Sequence, residues 1–184
     1  MIIAKKSAFE SKPLSNVVFQ ELEVGKELWS ILNWNDHTSM MVIDSYIIIN
    51  AHLGSKQVEN VVHMKELKEA LPQLKEKFPK YDIILAGDLN SYLEPFSPEF
   101  NFFPERKEVM TTIKKRTFTQ GQFNKADKIV KESKDKIITT LRILKGKVSY
   151  ISGQEISRDT LVPTDEHPFD HFVVVGYLEK RGAR

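Results

Sequence analysis

Apolar positions along the chain follow two rhythms, and the places where one gives way to the other mark the elements. Short β-rich runs open it: residues 1 to 4, then "NVVFQEL" at 16 to 22, "KELWSILNW", and "SMMVIDSYIIINAHL", the last broken by a hairpin-like "IDSY". Each has the length and β-branched content of a strand, and "NDHT" between the third and fourth is turn-rich. Their connections are too short for crossover helices, so antiparallel pairing is expected among them.

The rhythm then changes. Val58, Val61, Val62, Leu67, Leu71, Leu74 and Phe78 recur at spacings of mostly three and four, which predicts one helix over Val58 to Phe78 with that face on a sheet and Lys65, Lys68, Glu69, Lys75 and Glu76 in water. Pro72 predicts a kink, or a split at Leu71. "DIILAG" follows as a buried strand closed by Gly87. The aromatic, proline-rich "SYLEPFSPEFNFFPERKE" predicts an irregular loop and one or two short helices, after which "KDKIITTLRI", "KGKVSYIS" and "HFVVVGYLEK" read as strands. Strands, one long helix and more strands predict α/β layers.

Composition narrows the class. With 184 residues, 41% apolar and 28% charged, the chain fits a single globular domain over 1–184 and excludes a disordered one. Runs such as "YIII" and "FVVVGYL" are too short to span a bilayer, and "MIIAKKSAFESK" turns charged too early for a secretory signal. The absence of cysteine removes disulfides and thiolate metal sites and is compatible with an intracellular, cytoplasmic or nuclear, location. Charge is uneven: Pro104 to Lys147 carries 13 Lys/Arg against 5 Asp/Glu, a stretch that could follow a phosphate backbone, with Lys114, Lys115 and Arg116 at its densest point.

The candidate chemistry sits where apolar strands end. "IIINAHLGSK" delivers Asn50 and His52, "IILAGDLNS" delivers Asp88 and Asn90, "ESKDKIITT" delivers Asp135, and "EHPFDHFVVV" delivers Asp170 and His171. An Asx-turn explains any one of these alone. Four strand ends carrying such groups point to one mouth, because side chains at the ends of neighbouring strands converge. His167 and His171 have the spacing of a helical zinc motif, but Pro168 and the β-rich "FVVV" argue against a helix there. His37 and His63 read as surface or turn residues.

"NAHLGSK", "ILAGDLNS", "KDKI" and "FDHFVV", in that order, resemble the endonuclease/exonuclease/phosphatase superfamily of metal-dependent phosphoesterases. The resemblance implies an α/β fold, here a partial αββα four-layer sandwich with mostly antiparallel sheets. It implies a divalent-metal-dependent phosphoester hydrolase, a nuclease or other phosphodiesterase, working with Mg²⁺ or Mn²⁺ on nucleic acid or another phosphoester. Residue by residue, it makes His52 a contact of the scissile phosphate, Asp88 the carboxylate that positions or deprotonates water, and Asn90 the amide that hydrogen-bonds phosphate or orients that Asp. His171 becomes the paired histidine and Asp135 its carboxylate. Asp170 and Asp88 fall near the metal, with Asn50, Lys114, Lys115 and Arg116 toward substrate.

Departures from the pattern carry expectations of their own. Gln20-Glu21 has the letters of the family's metal-ligand motif but stands only 31 positions before His52, so Glu21 is kept as an alternative ligand only. The domain is therefore expected to be N-terminally incomplete, with a missing segment or a protein partner completing the sheet. Phe169 replaces a small residue before Asp170-His171, and Lys136 replaces an aromatic within D-x-I. Two alternatives stay open: a degenerate, non-catalytic binding or scaffold module, and a phosphoinositide-type phosphatase.

Overall fold

A computed structural model describes residues 23–30, 32, 38–90, 102, 120–123, 129–132, 134–149, 152 and 171–179. Its elements run α1 (residues 23–30), β1 (Thr38–Ile43), β2 (Tyr46–Ala51), α2 (Gln57–Lys77), β3 (Asp82–Asp88), β4 (Gln120–Phe123), β5 (Ile129–Glu132), β6 (Asp135–Thr139), β7 (Ile143–Ser149) and β8 (Val173–Leu178). The four-stranded sheet has the order β1-β2-β3-β6, and two further ladders join β4 to β5 and β7 to β8. All described pairings are antiparallel except β2 with β3, whose connection carries α2. The architecture is a partial α/β sandwich with mostly antiparallel sheets.

The β1–β2 hairpin turns on Asp44 and Ser45, with Asp44 in the left-handed region at φ 52°. Aspartate enters that region more readily than most residues because its short side chain can bond locally, and a residue of positive φ matches the twist of the paired strands. Along β2 and β3, Ile47, Ile49, Ile83 and Leu85 are fully buried and meet Leu67, Leu71 and Leu74 of α2 in one core cluster. The far end of β3 is tied to β6 by polar bonds. Thr139 Oγ1 donates to Ile83 O at 2.8 Å and Thr140 Oγ1 donates to Asp82 at 3.0 Å.

Three sequence expectations change here. "KELWSILNW" does not form a strand: residues 23–30 are helical, and Val24, Leu28 and Leu32 are buried at a four-residue spacing that keeps them on one helix face. Pro72 neither ends nor splits α2, which is continuous from Gln57 to Lys77; the ring removes one N–H from the ladder, and burial of Ala70, Leu71 and Leu74 around it holds the helix together. The buried face of α2 is Met64, Leu67, Ala70, Leu71 and Leu74, whereas Val58 is 79% exposed and Val61 and Val62 also face water. The first turns of α2 are fixed by polar side chains instead.

The β4–β5 hairpin falls in a stretch where no strands are expected from the sequence. Residues 1–22 and most of the aromatic segment, like Glu21, His37, Lys114, Lys115, Arg116, His167 and Asp170, lie outside the described residues. Among those that are described, no helix is long and apolar enough to cross a membrane.

Candidate active site

The ladder itself brings the carboxylates together. Asp88, last residue of β3, pairs directly with Asp135, first residue of β6, so their side chains leave the sheet on the same face. Parallel pairing of β2 with β3 sends both strands out at the same edge, which carries His52 to the side of Asp88: His52 Nε2 lies 3.7 Å from Asp88 Oδ2. His171, just before β8, places its Nε2 3.8 Å from the same oxygen and its Nδ1 2.7 Å from Asp135 Oδ2. Asp88 Oδ2 is thus the focus of two imidazoles, one of them braced by a second carboxylate. An ionised Asp135 can only accept, so the Nδ1–H of His171 donates to it and leaves the Nε2 lone pair facing Asp88 and the mouth. His52 is the open side of the group, with a side chain 66% exposed.

The loops holding these groups are locked by their own backbone. Leu53 N–H donates to Asp88 O at 2.9 Å, and Leu89 N–H donates to Lys134 O at 3.1 Å, extending the sheet by one bond on each side of β3. Asn90 adopts φ 44° and is buried; its N–H donates to Asp88 Oδ1 at 2.8 Å and its Nδ2 donates to Leu53 O at 2.7 Å. That is an Asx-turn and more: the turn aims the Asp88 carboxylate while the amide ties the β3 exit to the His52 loop. The backbone N–H of Asn90 therefore orients Asp88, while its side-chain amide holds the loop rather than the carboxylate. Asn50 stands in β2 opposite Ala86, inside the ladder two positions short of Asp88.

Two residues of α2 that the sequence did not single out for the site complete the brace. Asn60 Nδ2 donates to Leu89 O at 2.7 Å and to Gly54 O at 3.1 Å, and His63 Nδ1 accepts from Gly54 N–H at 3.1 Å. His63 is accordingly no free surface or turn residue but a helix residue bound to the loop after β2. A polar residue on a helix reads as solvated, and nothing in the spacing separates Asn60 from its neighbours. Asn60→Ala is expected to cost about 2 kcal/mol, because two loop carbonyls lose their donor, and urea unfolding measures it.

Electrostatics follow from burial. The Asp88 carboxyl is held above the usual carboxylate range, first by burial; the Asn90 N–H opposes this, Asp135 adds to it by like-charge repulsion, and His171 and His52 oppose it. Lys136, paired with Gly87 one rung along, is 3% exposed and is pushed down to about 8 by burial, with Asp135 and Asp88 acting against the fall. The ammonium stays charged at neutral pH.

The described residues do not by themselves make a cage for a hard cation. Asp135 Oδ2 is bonded to His171 and Asp88 Oδ1 to the Asn90 N–H, and the two carboxylates together still fall short of the six oxygens such an ion takes. Among the described residues no three His, Asp or Glu side chains are grouped to hold a metal.

No protein-family model matches the chain, and no curated protein matches it in sequence. Solved structures do match. Truncated TDP2 from Caenorhabditis elegans superposes with a TM-score of 0.50 at 17% identity, over 78% of this chain and 60% of that one. A beta toxin structure from Staphylococcus aureus does so with a TM-score of 0.51 at 20% identity, over 77% of this chain and 57% of that one. The chain spans less than two thirds of either structure, and at such identities the likeness is one of fold. That fold is endonuclease/exonuclease/phosphatase-like.

Proposed function

We propose that the chain is a phosphoester hydrolase, with phosphodiesters, and nucleic acid among them, as the favoured substrates. The observation that carries this is the meeting of His52 Nε2 and His171 Nε2 on Asp88 Oδ2 at 3.7 and 3.8 Å, with Asp135 behind His171. Hydrolysis of a phosphoester needs a water that is aligned and relieved of a proton, and donors for the charge that builds on the non-bridging oxygens. Asp88 Oδ2 is placed to orient and deprotonate that water. His171, fixed as one tautomer by Asp135, exchanges protons at Nε2, and His52, at the exposed rim, donates to a phosphoryl oxygen. Asn90 keeps Asp88 aimed. The basic stretch containing Lys114, Lys115 and Arg116 supplies the attraction for a polyanion.

Mg²⁺ or Mn²⁺ belongs to this reading as an electrophile for the phosphoryl oxygens when bound. Its oxygen ligands would have to come largely from Asp170, with Glu21 as the alternative, beside Asp88.

The test is hydrolysis of a generic phosphodiester and of single-stranded DNA by the full chain, with and without Mg²⁺ and Mn²⁺, across pH. Activity is expected to fall on the acid side as Asp88 takes up a proton. Because burial raises that carboxyl, the fall is expected to begin at higher pH than for an exposed aspartate. Turnover of a phosphoinositide but not of either diester would move the substrate class. No turnover of any phosphoester in the presence of either ion would leave the non-catalytic module.

A further inference from the structure

Asp88 and Asp135 face one another directly across the β3–β6 ladder, an arrangement that like charges oppose. The two histidines near them do not settle the matter, since His52 stands mostly in water and His171 is already engaged by Asp135. A further charge lies on the next rung. Lys136 pairs with Gly87, and its side chain is sealed from solvent on the same side of β6 as Ile138, which lies in the hydrophobic core.

An ammonium is an expensive occupant of such a place. Taking it out of water costs several kcal/mol, and a methionine or leucine would fill the same volume without that cost. Two carboxylates within its electrostatic reach give it a reason to be there: across the edge of a sheet, through protein rather than water, their attraction is poorly screened. We propose that Lys136 is a positioning residue of the site, a buried counter-cation one ladder rung from Asp88 and Asp135 that holds the two carboxylates side by side and so keeps Asp88 on His52 and His171. The charge coupling stands independently of the hydrolase reading; the effect on turnover rests on it.

The experiment is a stability cycle on the full chain at pH 7 with Lys136→Met, Asp135→Asn and the double variant. In the natural chain Asp135→Asn is expected to lower the melting temperature, since it removes the negative charge that faces both His171 and the buried ammonium, even though an asparagine oxygen can still accept from His171 Nδ1–H. In the Lys136→Met background the same change is expected to lower it by roughly half as much or less, or to raise it, because there it relieves an unbalanced pair of carboxylates. A double variant that folds where Lys136→Met alone does not is the same result in stronger form. Equal shifts in both backgrounds overturn the proposal. Lys136→Gln repeats the cycle with a polar neutral side chain, and a coupling present for Met but absent for Gln would be packing and would also overturn it. On a hydrolysed phosphodiester, Lys136→Met is expected to lower kcat about tenfold with KM within about twofold. An unchanged kcat rules out the positioning role. If the natural chain hydrolyses nothing, the reading of function fails while the melting cycle still decides the place of Lys136.

Discussion

Replacement of Asp88 by Asn is expected to lower kcat/KM for phosphodiester hydrolysis by about 10³-fold with little change in the stability of the fold, because relief of a buried charge beside Asp135 offsets the attraction lost to Lys136. The magnitude is that of removing a group that handles a proton and aligns a nucleophile at the reacting centre. The stability follows from the local bonds. An asparagine keeps an oxygen for the Asn90 N–H that now donates to Asp88 Oδ1 at 2.8 Å, so the turn persists. It also abolishes the cost of a buried charge and the repulsion from Asp135, the two causes that raise the Asp88 carboxyl. The raised carboxyl has a definite sign in pH. The folded chain holds that proton more tightly than the unfolded one, so this group contributes most to stability below the ordinary carboxylate range and loses that contribution as pH rises through the raised value. Asp88→Asn is therefore expected to flatten this part of the stability profile. Steady-state kinetics and thermal melts from pH 3 to 8 measure both. A variant with near-normal turnover would remove Asp88, and with it the mechanism, from consideration.

How legible the site was in the sequence depends on what each residue does. Asp88, Asp135, His52 and His171 stand at strand ends, and a strand that ends in a catalytic type of residue announces itself by contrast with the apolar run behind it. The structure brings these four together. The parts that position them left weaker traces. Asn60 lies on a helix, where a lone amide looks like any solvated position, and its two loop carbonyls are distant in sequence. Lys136 sits in "DKIIT", where adjacent isoleucines blur the alternation, so the pattern does not tell that the buried side contains Lys136 and Ile138. The helix at 23–30 was missed because Trp29, Ile31 and Trp34 lend the stretch from 26 to 34 a strand-like look, while burial of Val24, Leu28 and Leu32 decides the outcome. Exposure of Val58, Val61 and Val62 likewise cannot be read from periodicity, which tells which residues share a face but not how much of that face is covered.

Gly87→Ala is expected to be the most damaging single substitution for stability, at about 3 kcal/mol or more, with loss of activity in the fraction that folds. Gly87 holds φ +145°, a conformation that side chains oppose. A methyl group there would lie 2.0 Å from Ala51 O and 3.0 Å from Ala51 C and N, which are backbone atoms in the middle of the sheet and have no rotamer to change. Relief therefore requires β2 and β3 to separate at their common exit. Ala51 precedes His52 and Gly87 precedes Asp88, so that separation acts directly on the 3.7 Å contact between the two side chains and on the Leu53–Asp88 backbone bond. Gly25 provides the control within the same chain. A methyl group at Gly25 meets Trp29 Nε1 at 3.4 Å and Met40 Cε at 3.5 Å, ordinary contacts with movable side chains. Since residues 23–30 are helical, Gly25→Ala is expected to be neutral or to stabilise by up to about 1 kcal/mol. Urea unfolding of both variants gives the comparison. A Gly87→Ala chain as stable as the Gly25→Ala chain would mean that β3 leaves the sheet by a different path, and the placement of Asp88 between the two histidines would fall with it.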